Sequence, residues 1–222
     1  MQLITRSSML GHNRLALVLV LGFSCIQTFT VNAKPMAEAS LDNLTKEQVV
    51  SDVIDVQPAA SIGVEWPSGV TAQQGNELTP TQVKDQPKFS FNAKPDKFYT
   101  LAMVDPDAPS RKDPANREIL HFMVANIPGS DVSKGDTFAE YVGSGAPEKT
   151  GLHRYIFLLF EQKEKLNSDL MSIKKTSRVG RVKFSIRKFA KEHNLGDPIA
   201  ANFFQAQYDD YVPKLHAQLS SG

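Results

Sequence analysis

The stretch Phe98-Tyr99-Thr100-Leu101-Ala102-Met103-Val104-Asp105-Pro106-Asp107-Ala108-Pro109-Ser110-Arg111 decides how this chain folds. Its first seven residues form an apolar run with aromatic and β-branched members, which reads as a strand. The run then stops at a corner in which two prolines fix φ around two acids. Working outward, similar short runs recur at about 62–66, 87–91, 119–126 and 153–161, separated by Pro, Gly, Asp and Asn. Several short strands joined by varied turns predict a mainly β domain, an antiparallel two-sheet β-sandwich. Apolar groups take helical spacings at 44–54, where Thr45 is the expected cap, at 179–190 and at 208–219. A few peripheral helices are therefore expected, with Pro213 tolerated in the first turn of the last one.

The corner gains interest from the polar residues on the runs that follow it. His121 lies within Ile119–Asn126, and His153 and Tyr155 open the run that ends at Glu161. Successive strand residues point to opposite faces, so His153 and Tyr155 share one face. Imidazole N–H and phenol O–H groups donate to phosphate oxygens, and carboxylates such as Asp105 and Asp107 orient imidazoles and raise their pKa. With Tyr211, these groups can form a small anion pocket, and the acids also suit an ammonium group.

Asp105 to Arg111, His121-Phe122, Tyr141 to Pro147, Gly151 to Tyr155 and Asp209 to Leu215 occur in an order that resembles the phosphatidylethanolamine-binding protein family. The blocks span roughly residues 50 to 222. The resemblance implies a two-sheet β-sandwich with a C-terminal helix beside a ligand pocket. It further implies that Asp105, Asp107, Pro109, His121, Gly143, Gly145, His153, Tyr155 and Tyr211 form or line that pocket, which takes phosphate-like and lipid head-group anions; other small lipophilic ligands are a further expected class of partner for this chain. Glycine at 143 and 145 would let the backbone approach a ligand closely. Relatives with mammalian-like pockets carry Trp-His-His-Phe where this chain has Ile119-Leu120-His121-Phe122, and Pro is common where Ala146 stands. The expected rim is therefore altered. Family members also modulate kinase cascades or inhibit serine proteases, which gives the alternative function of a protein-interaction regulator.

The first 33 residues differ from the rest. Arg6, His12 and Arg14 precede the apolar run Leu15–Ile26, no acid occurs before Glu38, and small residues suited to cleavage stand in Val31-Asn32-Ala33. This is the pattern of a secretory signal peptide over 1–33, with a single domain over 34–222. The expected location is extracellular. The alternative is a cytoplasmic or mitochondrial chain, although a mitochondrial leader should be amphipathic rather than solidly apolar. Loss of Arg6 and Arg14 leaves 23 basic against 24 acidic residues, too balanced for a whole-protein nucleic-acid binder. The one cysteine, Cys25, lies in the leader, so the mature chain would have no disulfide. Asn43-Leu44-Thr45 is a glycosylation sequon, which makes Asn43 a candidate site.

Catalysis is not expected, and neither is a cofactor. Val142 replaces the first glycine of a Gly-x-Ser-x-Gly elbow in Val142-Gly143-Ser144-Gly145-Ala146. Ser-x-x-Lys occurs at Ser172 to Lys175 and at Ser185 to Lys188, as chance gives in a Lys-rich region. Asp105, Asp107, His121 and His153 lack the local spacing of a metal site, so no metal is expected. Residues 163 to 191 hold ten Lys or Arg against Glu164 and Asp169. This excess reads as a solvated helix face, or as a peripheral contact with anionic lipid head groups or a polyanionic partner.

Overall fold

Strand β5 (Phe98–Asp105) lies at the centre of a seven-stranded sheet, with β6 (Ile119–Pro128) on one side and β8 (His153–Gln162) on the other, both antiparallel to it. These are the runs legible in the sequence, and they read as nearly continuous apolar segments because both faces of the sheet are covered. Tyr99, Leu101, Met103, Tyr155, Phe157, Leu159 and Phe204 point into one core, together with Trp66, Ile62 and Phe89. Ala102, Val104, Ile156, Leu158, Phe160 and Phe203 point into a second core, against Leu44, Val53, Ile186 and Phe189. Each fully buried side chain of this size contributes about 1.5–3 kcal/mol.

The sheet runs β1-β9-β8-β5-β6-β7, where β1 is Ala60–Ser61, β7 is Asp136–Ala139 and β9 is Ala200–Ala206. β3 (Asn76–Glu77) and β1 pair in parallel with β9, so the sheet is mixed rather than wholly antiparallel. A parallel pairing needs no hairpin, so two-residue segments that arrive by long loops can add to it. Among the described residues the second sheet is a two-stranded ribbon of β2 (Gly63–Glu65) and β4 (Lys88–Ser90). Trp66 Nε1 donates to Tyr141 Oη at 3.0 Å, and that hydroxyl donates to Val83 O at 2.8 Å, which ties the ribbon side to the main sheet.

The helices are shorter than the apolar spacing predicts. Residues 44–54 form α1 (Asp42–Lys46) and α2 (Val49–Asp52), because Gln48 and Ser51 take φ of 57° and 100°. Thr45 lies inside α1, and its hydroxyl donates to Gln57 Oε1 instead of capping. The expected helix over 179–190 is α3 (Ile186–Glu192) alone: Gly180 and Lys183 have positive φ, and Ser185 supplies the cap through a 3.2 Å bond from Lys188 N. The last helix, α4 (Val212–Leu219), has Pro213 in its first turn and buries Val212 and Leu215.

This computed structural model describes residues 41–167, 169 and 172–220, which fall within one compact unit, Ala37–Gly222. The leader expected over 1–33, with Cys25, lies outside the described residues. Among the described residues no helix is long and apolar enough to cross a membrane.

Candidate functional site

The acidic corner follows directly from the end of β5. Asp105 Oδ1 accepts Asp107 N at 2.6 Å, closing a local turn, and the Ala108–Pro109 peptide beyond it is cis. Asp105 Oδ2 lies 2.9 Å from His153 Nδ1 on the neighbouring strand β8. His153 Nε2 lies 3.0 Å from Thr150 Oγ1, whose one hydrogen is already donated to Pro147 O at 2.8 Å. Thr150 can therefore only accept, so both ring nitrogens of His153 face acceptors and both carry hydrogen. Burial opposes that charge, but the hydrogen bond and the charge of Asp105, with the charge of Asp107, outweigh it and hold the His153 pKa above its ordinary value.

His121 is placed by an irregularity in the sheet. Met103 pairs with Phe122 and Val104 with Leu120, so His121 is the extra residue of a β-bulge. Bulges re-aim side chains. Here the ring turns to the loop after β7, where Nδ1 stands 2.9 Å from Val142 O and 3.1 Å from Gly143 O. Two carbonyl acceptors place the hydrogen on Nδ1 and leave Nε2 as the ring atom open to a ligand. Burial, partly offset by Asp105, lowers the His121 pKa, so the free ring is neutral and Nε2 bears a lone pair.

Asp105, Pro109, His121, Gly145 and His153 line one cavity of about 140 Å³. The other expected residues stand elsewhere. Asp107 is fully buried and bound to Arg154: Oδ2 accepts Arg154 N and Nε, both at 2.9 Å, and Oδ1 accepts Nη2 at 2.7 Å. These bonds and the charge of Arg154 overcome burial and lower the Asp107 pKa. Tyr155 is buried behind the cavity, stacked on Phe204 at 5.1 Å, and its hydroxyl accepts Gly145 N at 3.1 Å. Gly143 and Tyr211 line a neighbouring hollow, which shares only Val142 and Leu215 with the first. The two glycines serve chain packing: a Cβ at 143 would stand 2.7 Å from Val83 O, and one at 145 would stand 2.9 Å from Leu215 Cδ2 on α4. Of the three altered rim positions, Ile119 lines the cavity, whereas the bulge turns Leu120 into the helix-side core and Ala146 is buried. Asn43 donates through Nδ2 to Gln74 O at 3.0 Å.

Several cavity residues were not singled out by sequence reading. Arg178, Arg181, Val182, His216 and Leu219 line it. Arg181 is 2% exposed, and its five N–H groups all go to main-chain carbonyls: Nε to Ser177, Nη1 to Leu120 and His121, Nη2 to Glu140 and Lys174. Among the described residues it has no carboxylate within ion-pair distance, and burial lowers its pKa to about 10, so it remains charged at neutral pH. Arg181 and Arg178 were two of the ten cations in the 163–191 run, and nothing in that run marks which one is buried. His216 Nε2 lies 2.9 Å from Gly145 O and holds α4 at the cavity edge. Arg154, the missed partner of Asp107, sits between the two residues that the strand period did single out.

Three cations, His153, Arg178 and Arg181, therefore surround the cavity against the single carboxylate of Asp105. Among the described residues no group of three or more His, Cys, Asp or Glu is placed to hold a metal. The fold and site define a mainly β domain with a small, positively biased pocket at the C-terminal end of its central strand. The family model for phosphatidylethanolamine-binding protein matches residues 67–204, and the chain belongs to that family. It is 34% identical over 199 residues to "Putative odorant-binding protein A5" of Drosophila melanogaster, covering 89% of this chain and 92% of that protein. It is 52% identical to CG7054, whose solution structure covers 78% of this chain and 98% of its own with a TM-score of 0.65. It is also similar to a carboxypeptidase Y inhibitor crystallised with its cognate proteinase: 29% identity, 80% of this chain and 98% of that one, TM-score 0.66.

Proposed function

We propose that this protein is a secreted, non-enzymatic binding protein for phosphate-bearing ligands, including phospholipid head groups of the phosphatidylethanolamine type. The observation that carries the reading is Arg181, a buried guanidinium at the cavity with carbonyls as its hydrogen-bond partners and no carboxylate within ion-pair distance among the described residues. Burying an uncompensated charge is costly, and an anion in the cavity offsets that cost. His121 Nε2 then accepts from a protonated phosphate oxygen or, once protonated by the anion's approach, donates to it. The cavity's apolar walls, Ile119, Val142 and Val182 among them, leave room for a small lipophilic portion beside the head group.

Calorimetry with inorganic phosphate and phosphoethanolamine tests this. A charged hydrogen bond is worth about 1.5–3 kcal/mol, so His121→Ala should weaken binding at least tenfold, and Asp105→Ala should weaken it by removing the carboxylate that keeps His153 charged. Unchanged affinity in both variants would rule out the site. N-terminal sequencing of the protein from its native source tests secretion: a start near Lys34 supports it, and an intact Met1 refutes it. The similarity to a carboxypeptidase Y inhibitor favours a second reading, proteinase inhibition, which an inhibition assay against carboxypeptidases and serine proteases decides.

A further inference from the structure

We propose that the turn from Arg178 to Lys183 is the element by which this protein seats on an anionic phospholipid bilayer, presenting the cavity mouth to the lipid head groups. The inference rests on the head-group reading of the cavity. It replaces the basic helix face expected from the sequence with a specific apolar point flanked by cations.

Val179 is 81% exposed and Val182 38%, two of the four large hydrophobic side chains exposed among the described residues. They stand three positions apart beside the cavity, and Val182 also lines it. The turn is well tied. Arg181 N donates to Arg178 O at 3.1 Å, Val179 N donates to Ser177 Oγ at 3.1 Å, and Gly180 takes φ of +82°. Arg181 then fastens the turn to β6 and to the end of β7 through its carbonyl contacts, and Val182 bridges to Ile119. Val179 is thus held outward by a braced turn.

Along the chain the charge beside this point has one sign, with Glu140 of the neighbouring segment set against Lys174. From Leu170 to Lys191 the sequence contains no Asp or Glu. Lys174 is paired with Glu140 and Arg181 is buried, but Lys175, Arg178 and Lys183 have no ion-pair partner among the described residues. An exposed apolar apex ringed by unpaired cations fits a bilayer interface, where the apex enters the acyl boundary and the cations meet anionic head groups. A phosphoprotein would satisfy the cations but not Val179. The position beside the cavity adds a reason, because a head group need only cross the rim to be bound.

The test compares wild type, Val179→Asp and Lys183→Glu, all in the same form so that any leader contributes equally. Co-sedimentation uses vesicles of phosphatidylcholine with phosphatidylserine against phosphatidylcholine alone, and calorimetry uses soluble phosphoethanolamine. Wild type should bind the anionic vesicles, more weakly as salt rises. Each variant should lose about tenfold in vesicle binding and keep its affinity for phosphoethanolamine, since neither side chain lines the cavity. Wild type that binds phosphoethanolamine but not vesicles, or vesicle binding indifferent to Val179→Asp, overturns the assignment of the turn. Binding to a phosphoserine peptide in place of vesicles overturns it in favour of a phosphoprotein. Vesicle binding through Val179 with no affinity for phosphoethanolamine leaves the turn standing and overturns the head-group reading.

Discussion

Replacing Asp107 with Asn distinguishes a scaffold carboxylate from a ligand-binding one. Asp107 accepts three hydrogen bonds from Arg154 alone, two at 2.9 Å and one at 2.7 Å, and both side chains are fully buried. Asparagine keeps one acceptor oxygen but turns an NH₂ group toward a guanidinium or a main-chain N–H. Removing one partner of a buried ion pair costs about 3–5 kcal/mol, because the other charge stays in the interior. Arg154 retains Asp52 Oδ2 at 2.8 Å and Glu47 O at 2.6 Å, which places the expected loss at the lower end, about 3 kcal/mol. For a domain of this size that lowers Tm by about 6–12 °C. Urea unfolding at neutral pH measures it, and calorimetry on the folded variant should find phosphate affinity within about twofold of wild type. The effect has a pH signature. The folded-state pKa of Asp107 is depressed, so its stabilisation is present above the unfolded value of 3.8 and is lost as pH falls below it toward the lower folded value. The stability difference between wild type and Asp107→Asn should therefore shrink in acid. A variant that loses under about 1 kcal/mol but no longer binds phosphate would refute the assignment of Asp107 to the scaffold.

Two further outcomes follow from the geometry. Asp105→Asn should bring the His153 titration, followed by proton NMR of the ring, down from its raised value, since the carboxylate offsets the burial that opposes the imidazolium; an unmoved titration would mean that Asp105 does not charge His153. Gly143→Ala places a methyl 2.7 Å from Val83 O and should cost about 1–3 kcal/mol in thermal unfolding as the two segments part. Full stability there would show that the packing yields freely.

How much of this was legible depended on whether a single strand or the contacts between strands carried the information. His153 and Tyr155 do share a face, as period two requires, and the runs at 98–104, 119–126 and 153–161 are strands close to those bounds. β9 escaped because Ala200 to Ala206 is short and rich in alanine, and the two strands parallel to it are two residues long. The aim of His121 depends on a bulge fixed by its pairing with β5, which no local pattern announces. Helical spacing over 179–190 was real, but Gly180 and Lys183 at positive φ turn its first half into the loop that bears Val179. The division of labour between the two acids also required the fold: nothing in Asp105-Pro106-Asp107 says that one faces a histidine and the other an arginine.

Among the described residues Arg181 reaches only main-chain oxygen, drawn from Leu120, His121, Glu140, Lys174 and Ser177. Any residue at those five positions offers the same carbonyl, so the placing of Arg181 does not depend on which side chains surround it. Substitutions along this rim can then change the shape and greasiness of the entrance while the preference for a negative guest persists. A pocket wired in this way can acquire new ligands by drift at its edges, while Arg181, together with His153 and Arg178, keeps it attractive to anions.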